Sequence, residues 1–168
     1  LGRPEAAFLV SLLLLGWAVG APAGGWLSDR IGKRRPILIC GSALVCVSLT
    51  VLIFVPNLPL VLSVGLFILI GLAGGFMACC FALVREVMPT QIVGGATGIV
   101  NSLTVASGAV LQPLVGWMLD LQWRGELEGN APVYDASDYR TAFILVLVSA
   151  VLGLMMCWRL KESKKVTF

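Results

Sequence analysis

The chain alternates five long apolar segments with shorter polar ones. The apolar segments cover residues 6–27, 37–55, 60–84, 92–119 and 141–160. Each is about as long as the ~20 residues that a helix needs to cross the hydrocarbon core of a bilayer. The pattern therefore predicts an all-α fold, a polytopic bundle of five transmembrane helices with no soluble domain.

Composition and charge agree with this prediction and add an orientation. The chain is 58% hydrophobic and 12% charged, whereas soluble domains carry about 25% charged residues. Nine of the twelve Lys and Arg residues lie in or beside segments 28–36, 85–91 and 161–168. Because cytoplasmic loops are rich in these cations, we predict that these segments are cytoplasmic and that loop 120–140 is external. Clusters of Lys and Arg beside apolar segments indicate membrane topology and not nucleic-acid binding.

The densest charge lies in residues 25–36, with the sequence G-W-L-S-D-R-I-G-K-R-R-P. A tight reversal between two helices needs glycine where backbones approach or φ is positive. We therefore predict this role for Gly25 and Gly32. Asp29 is placed to accept hydrogen bonds from N–H groups at the start of a neighbouring helix.

The cations of this loop have two interpretations. Arg30, Lys33 and Arg34 can pair with carboxylates at the ends of other spans, and Glu86 is the obvious local candidate. In one interpretation they form a conformational latch, a charge network that is made in one state and broken in another. In the other, the cations only set the membrane topology.

Small residues recur along the first apolar segment. Gly16, Gly20 and Gly24 are spaced by four residues, so they align on one face of a helix. Small residues at this spacing let another helix approach closely in lipid. We predict that these glycines form a helix-packing face.

The fourth apolar segment carries a polar stripe. Thr97, Asn101, Thr104 and Gln112 fall with several glycines within an arc of roughly 120°, at about 100° per residue. Lipid does not solvate polar groups, so the stripe should face the protein interior or a water-filled cavity. Asn101 lies roughly 15 Å along the predicted helix, near the expected bilayer centre. Interhelical hydrogen bonding would explain these residues equally well, and Gln112, which precedes a proline, fits a helix kink.

Candidate residues for a metal site or for catalysis are few. The five cysteines lie inside apolar segments without a C-x-x-C pair, and there is no histidine. This argues against a zinc or haem site. No nucleophile lies beside a base in the sequence. We expect no cofactor, no metal and no enzymatic activity.

The loop at residues 25–35 resembles the signature of the major facilitator superfamily of transporters. That signature has the form G-x-L-[AS]-D-R-x-G-[RK]-[RK], and this chain fills every keyed position. In the family it joins the second and third helices, and it recurs in weaker form between the eighth and ninth. The resemblance implies that Asp29 and Arg30 belong to a network that closes the cytoplasmic side.

Motifs later in the chain indicate which part of the family's fold this chain resembles. The patterns E-x-x-P at 86–89, G-x-x-G-x-x-N at 95–101 and Q-P-x-x-G-x-x-x-D at 112–120 resemble the family's tenth-to-eleventh helix region. The five segments would then be helices 8 to 12 of a twelve-helix fold, and residues 1–168 the C-terminal half of the transporter domain. The chain opens on Leu1 without a targeting segment, so we expect a fragment that lacks helix 7 and the N-terminal half.

The function that this resemblance implies is transport of a small organic solute by alternating access across the inner or plasma membrane. Proton-coupled symport is the first expectation. Efflux of a drug or metabolite by antiport is one alternative, and a non-transporting, transporter-like receptor is another. The expected partners are the solute, protons where transport is coupled, the bilayer and the missing half. No Asp, Glu, Lys or Arg lies deep in the five apolar segments, so a proton-binding group would lie outside this chain.

Overall fold

A computed structural model of the chain describes residues 3–125, 127–128 and 131–160. Its elements in chain order are α1 (Arg3–Ile31), α2 (Arg35–Phe54), α3 (Leu60–Gly75), α4 (Ala78–Val87), α5 (Val93–Gln122), β1 (Leu127–Glu128), β2 (Ala131–Pro132) and α6 (Ala136–Arg159). The two short strands pair antiparallel. With α3 and α4 taken as one segment, five helical segments of the described chain are long and apolar enough to cross a membrane. The predicted all-α class with five spans is confirmed, and the predicted tail 161–168 lies outside the described residues.

The first helix is longer than predicted. α1 ends at Ile31, four residues past the expected end. Residues 28–30, expected in the loop, are therefore helical, and only residues 32–34 connect α1 to α2. Gly32 has φ +70°, and its N–H donates to the Ser28 carbonyl oxygen at 2.9 Å. This is the geometry of a glycine that ends a helix.

Gly25 does not have the backbone role that its place in the loop suggested. It lies inside α1 with an ordinary negative φ. A Cβ placed on it would meet no atom within 4 Å. The expectation for Gly25 is therefore wrong, because the helix continues through the first half of the signature.

We expect Gly32→Ala to lower the free energy of unfolding by about 1–2 kcal/mol, because an L side chain disfavours the left-handed conformation. Gly25→Ala is the matched control and should be neutral or stabilising, because alanine favours a helix interior over glycine by about 1 kcal/mol. Thermal unfolding of both purified variants measures the difference. Equal effects would contradict the helix-ending role of Gly32.

The third span, predicted over 60–84 with glycines that suggest a bent or closely packed helix, is one apolar segment, Leu60–Val87, with a tightened turn inside it. α3 ends at Gly75 and α4 begins at Ala78. The amides of Phe76 and Met77 donate to carbonyl oxygens three residues earlier, at 3.2 and 3.1 Å. Such bonds tighten a helical turn. The break follows two consecutive glycines, which weaken a helix because they carry the largest entropy cost of ordering.

Glycines bring α1 and α3 into direct backbone contact. A Cβ on Gly16 would lie 2.7 Å from the Ile68 carbonyl oxygen. A Cβ on Gly20 would overlap the Leu72 carbonyl oxygen and lie 2.7 Å from its carbonyl carbon. On the α3 side, a Cβ on Gly71 would overlap the backbone of α1. No larger side chain fits at Gly16, Gly20 or Gly71 without moving the opposite backbone.

Gly24 continues the same row but faces a side chain. A Cβ on Gly24 would lie 2.6 Å from Cδ1 of Phe76, and a Cβ on Gly41 of α2 would lie 3.0 Å from Cδ2 of the same ring. The Phe76 ring therefore fills the space between α1 and α2 at the α3–α4 break. Gly24 therefore faces Phe76, which directly follows α3, whereas Gly16 and Gly20 face the backbone of α3 itself.

The last helix starts five residues earlier than predicted, at Ala136. Asp135 is its N-cap and forms a capping box with Asp138, in which each side chain accepts a hydrogen bond from the other residue's backbone N–H. The D-x-x-D pattern before an apolar run is a sequence signal for such a start. It extends α6 into the stretch that we assigned to the external loop.

The buried hydrophobic cluster of the described chain lies near the charged residues. α1 packs along α3, α2 packs against α3 and α6, and α5 packs against α6 and α4. A cluster of the buried Ile37, Leu38 and Cys79, with the partly buried Leu27 and Cys157, joins α1, α2, α4 and α6. Below, the side of the bundle that carries residues 28–35 and 85–86 is called the charged end.

Candidate functional site

At the charged end, one arginine joins three parts of the chain. Arg34, in the α1–α2 connection, places Nη1 2.6 Å from Oδ1 of Asp29 on α1 and Nη2 2.7 Å from Oε1 of Glu86 on α4. Its Nε donates to the same Glu86 oxygen at 2.9 Å. We call Asp29, Arg34 and Glu86 the charge network. Of the three cations considered as partners of Glu86, Arg34 is the one that meets it.

Without Arg34, the two carboxylates of the network would lie where negative charge is unfavourable. Asp29 and Glu86 lie in the last turns of α1 and α4, where the helix dipole disfavours negative charge. The Arg34 side chain is only 14% exposed, against 67% for Asp29 and 37% for Glu86. Although partial burial acts to lower it, the hydrogen bonds with Glu86 and Asp29 raise the pKa of Arg34 above its ordinary value. Arg34 therefore stays cationic and offsets both charges.

Ser28 also contacts Arg34, and the sequence reasoning did not single it out. This residue of α1 is completely buried. Its hydroxyl accepts a hydrogen bond from Nη1 of Arg34 and donates to the Gly25 carbonyl oxygen at 2.8 Å. The sequence signal for this role is weak, because the signature pattern allows either alanine or serine at this position.

The other cations of the loop have different surroundings. Arg30, expected in the network, lies 5.4 Å from the centroid of the Trp26 ring, because residues one helical turn apart share a face. Lys33 makes no ion pair with the described residues. Arg35 donates to the Trp158 carbonyl oxygen at 2.6 Å, one of the carbonyls that a helix leaves open at its C-terminus.

Asp29 does not cap a neighbouring helix, as the sequence had suggested. The two helices that begin at the charged end, α2 and α5, both lack a side-chain hydrogen bond at the N-cap. Because residues 28–30 remain helical, the Asp29 carboxylate meets Arg34 instead.

A cleft of about 620 Å³ opens beside the charge network. Phe81 of α4 contributes to its apolar wall, Arg85 and Glu86 to its charged wall, and Thr97 of α5 lines it as well. Thr97 also belongs to the polar stripe of α5. The cleft therefore connects the network to that stripe.

The surface of α5 has one partly covered face and two exposed ones. No residue of α5 is buried, and the partly covered face includes Thr97 and Thr104. One exposed face is apolar and contains Ile99, Leu103, Val110, Trp117 and Leu121. The other carries the polar Asn101 and Gln112 with Gly94 and Gly98, and also the exposed Val105. Lipid can surround the apolar face but not the polar one.

The polar side chains of the stripe differ in their hydrogen bonds. Thr104 Oγ1 donates to the Val100 carbonyl oxygen at 2.9 Å, which satisfies the hydroxyl within the helix. Asn101 and Gln112 make no hydrogen bond to the described residues. Their amide groups are therefore available to a solute, to water or to another part of the protein.

The observed length of α5 gives the positions of these residues along the helix. α5 has 30 residues, so it is about 45 Å long and its centre lies near Gly108. Asn101 lies about 10 Å from that centre toward the charged end, and Thr104 about 5 Å. Asn101 therefore lies on the charged-end side of the helix centre, and the stripe runs from the cleft past the centre to Gln112, about 7 Å beyond it.

A metal site is not formed by the part of the chain described. No three His, Cys, Asp or Glu side chains of these residues are close enough to hold an ion. The five cysteines are all free thiols.

Sequence comparisons show related proteins along the whole chain. A profile of the Major Facilitator Superfamily matches residues 1–167. The chain is 34% identical over 166 residues to the glucose transporter GlcP of Staphylococcus epidermidis, which covers 98% of this chain and 33% of that protein. It is 35% identical over 125 residues to the multidrug resistance protein MdtG of Proteus mirabilis, which covers 74% of this chain and 29% of that protein.

A solved structure shares the fold. The xylose transporter XylE from E. coli, in an inward-open conformation, matches with a TM-score of 0.74 and 19% identity. The match covers 95% of this chain and 38% of XylE. The chain spans about a third of the length of the two curated relatives.

Proposed function

The chain belongs to the Major Facilitator Superfamily and forms a multi-pass membrane protein, and from this premise we propose that it is part of a transporter of a small organic solute. Transport would proceed by alternating access. The observation that carries this proposal is the exposed polar face of α5, because polar groups on a spanning helix need protein or water beside them. We assign Thr97, Asn101, Thr104 and Gln112 to the lining of the solute cavity.

The five helical segments correspond in this proposal to helices 8 to 12 of the twelve-helix fold. Helix 7 and the N-terminal half would face the uncovered side of α5 across the cavity. The charged end would face the cytoplasm, since nine of the twelve Lys and Arg residues fall in or beside segments 28–36, 85–91 and 161–168 of the sequence, and cytoplasmic loops are rich in these cations. The β1–β2 pair would then be external.

The charge network acts in this proposal as a latch on the cytoplasmic side. It links the ends of α1 and α4 through Arg34, and an ion pair that differs between two states shifts their populations. If the cations only set topology, such specific pairing with Asp29 and Glu86 would not be needed.

The chemistry of the stripe favours a polar, uncharged solute over an apolar drug. Asn101 and Gln112 offer amide groups, which donate to and accept from hydroxyl groups. Relatives include a named glucose transporter and a named multidrug resistance protein, so sugar uptake and drug efflux are the two activities to compare. Proton-coupled symport is the mode we propose, with the proton-binding group outside the apolar segments of this chain.

We expect Asn101→Ala to raise the KM for the transported solute about fivefold, because a lost neutral hydrogen bond costs about 1 kcal/mol. Thr104→Ala should have a smaller effect, because its hydroxyl already bonds within the helix. The measurement is [14C]glucose uptake and ethidium efflux by vesicles containing the full-length protein, with and without an imposed pH gradient. Leu103→Ala, on the apolar face of the same helix, is the matched control.

Unchanged kinetics in both polar variants would remove the stripe from the solute pathway. Glucose uptake that ignores the pH gradient would exclude proton coupling. Ethidium efflux without glucose uptake would favour the antiport alternative. If the reconstituted protein moves neither compound nor any member of a wider solute panel, the non-transporting receptor becomes the better proposal.

A further inference from the structure

Ser28 combines complete burial with a full set of polar contacts. Its relative exposure is 0%, although the next residue, Asp29, is largely exposed. The hydroxyl donates to the Gly25 carbonyl oxygen at 2.8 Å and accepts from Nη1 of Arg34. The Cys79 thiol of α4 lies 3.5 Å away on another side. Because the hydroxyl proton is directed to Gly25, the oxygen lone pairs remain for Arg34 and Cys79.

We propose that Ser28 is a positioning residue for the charge network, and that its hydroxyl holds the Arg34 guanidinium where it reaches both Asp29 and Glu86. The consequence for transport rests on the latch proposed above, whereas the contact itself does not. Ser28 touches no solute in this proposal and acts only through Arg34.

The need for such an anchor follows from the exposure of the two carboxylates. Asp29 is 67% exposed and Glu86 37%, and exposed ion pairs are weak and screened by salt. Arg34 has a long side chain with many rotamers, and two acceptors on different helices compete for it. A buried neutral acceptor is not screened, so Ser28 selects the orientation in which Nη1 faces α1 and Nη2 faces α4.

Cys79 offers a native reporter of this arrangement. It is 1% exposed, and its thiol packs against Ser28 and the Gly24 carbonyl oxygen, each at 3.5 Å. If Arg34 loses its anchor, the ends of α1 and α4 separate more often and the thiol becomes reachable. Cys46, which is also buried but lies on α2, serves as an internal reference.

The test is the rate at which N-ethylmaleimide modifies Cys79 in the full-length protein in detergent, followed by peptide mass spectrometry. We expect Ser28→Ala to speed modification of Cys79 about tenfold, the equivalent of one hydrogen bond to a charged group, and to leave Cys46 unchanged. The matched control is Ser48→Ala. Ser48 is also 0% exposed, but its hydroxyl has no hydrogen-bond partner in the described chain, so its loss should not expose Cys79.

A double-mutant cycle separates positioning from packing. In an Arg34→Gln background, Ser28→Ala should change the Cys79 rate by less than twofold, because the residue it acts through is gone. The same tenfold increase in both backgrounds would show a packing role and overturn the proposal. An unchanged rate for Ser28→Ala in the wild-type background would also overturn it.

Arg34→Lys tests the same contact from the other side and serves if Ser28→Ala does not fold. Lysine keeps the charge but lacks the planar fork by which separate nitrogens of Arg34 reach α1 and α4, so Cys79 should again react about tenfold faster. An unchanged rate would overturn the proposal. If the Cys79 rates follow the proposal while transport by Ser28→Ala is normal, the latch function fails and the positioning role stands.

Discussion

Gly20→Ala is expected to destabilise the protein by about 2–3 kcal/mol, because inserting a methyl group into a close-packed contact forces the backbone to move. The added Cβ would overlap the Leu72 carbonyl oxygen and lie 2.8 Å from its Cα. These are backbone atoms of α3, which cannot rotate away as a side chain would. The two helices must then separate along their contact, where Gly16 and Gly71 also lie against the opposite backbone.

The measurement for Gly20→Ala is the melting temperature and the monodisperse fraction of the purified full-length protein. Gly65→Ala on α3 is the matched control, since a Cβ there would meet no atom within 4 Å. It should stay within about 0.5 kcal/mol of wild type. Similar melting temperatures for the two variants would mean that the α1–α3 contact is looser than described. The same comparison would test Gly16→Ala, with a smaller expected loss.

Arg34→Gln is expected to lower the transport rate about tenfold while leaving membrane insertion intact. The variant leaves Asp29 and Glu86 uncompensated at the C-terminal ends of two helices, where negative charge is unfavourable. A hydrogen bond to a charged group contributes about 1.5–3 kcal/mol, so its loss shifts a two-state equilibrium by a factor of ten or more. If the network is the latch proposed above, the latched state becomes scarce, and the cycle slows because each turnover must pass through it. Asp29→Asn should slow the cycle in the same direction but less, since Glu86 keeps its partner.

Lys33→Gln is the matched control for Arg34→Gln. It removes one positive charge from the same connection, but Lys33 makes no ion pair with the described residues. If the cations act only on topology, the two variants should behave alike and some molecules should insert with inverted orientation. If the network is a latch, only Arg34→Gln should slow transport. Transport assays combined with protease mapping of the loops distinguish these outcomes.

Which arginine of the loop pairs with Asp29 and Glu86 could not be predicted from the sequence of the loop alone. Arg30 and Arg34 are the same residue type, and both occupy keyed positions of the signature. The difference arises because α1 continues to Ile31, which directs Arg30 back along the helix toward Trp26. The residue at position 34 comes after the reversal and can therefore turn toward α4.

The sequence by itself determined the five spans, the fold class, the signature loop and the polar stripe. These follow from local requirements, because a stretch of about 20 mostly apolar residues in a bilayer forms a helix that satisfies its own backbone hydrogen bonds. The glycine row on α1 was also readable, since a spacing of four residues places side chains on one face. The positions of Thr97, Asn101 and Gln112 on one side of α5 needed only the helical period.

Only the tertiary structure decided which residues form the charge network and what holds it. Arg34 and Glu86 are 52 positions apart, and they meet because α1 packs along α3 and brings the end of α4 beside the loop. The burial of Ser28 likewise depends on Cys79 of α4, which no local pattern around position 28 reveals. Contacts between helices that are distant in sequence depend on how their backbones pack. The ion pairs of the charged end therefore follow from the glycine-mediated packing of α1 against α3, which a local sequence pattern does not specify.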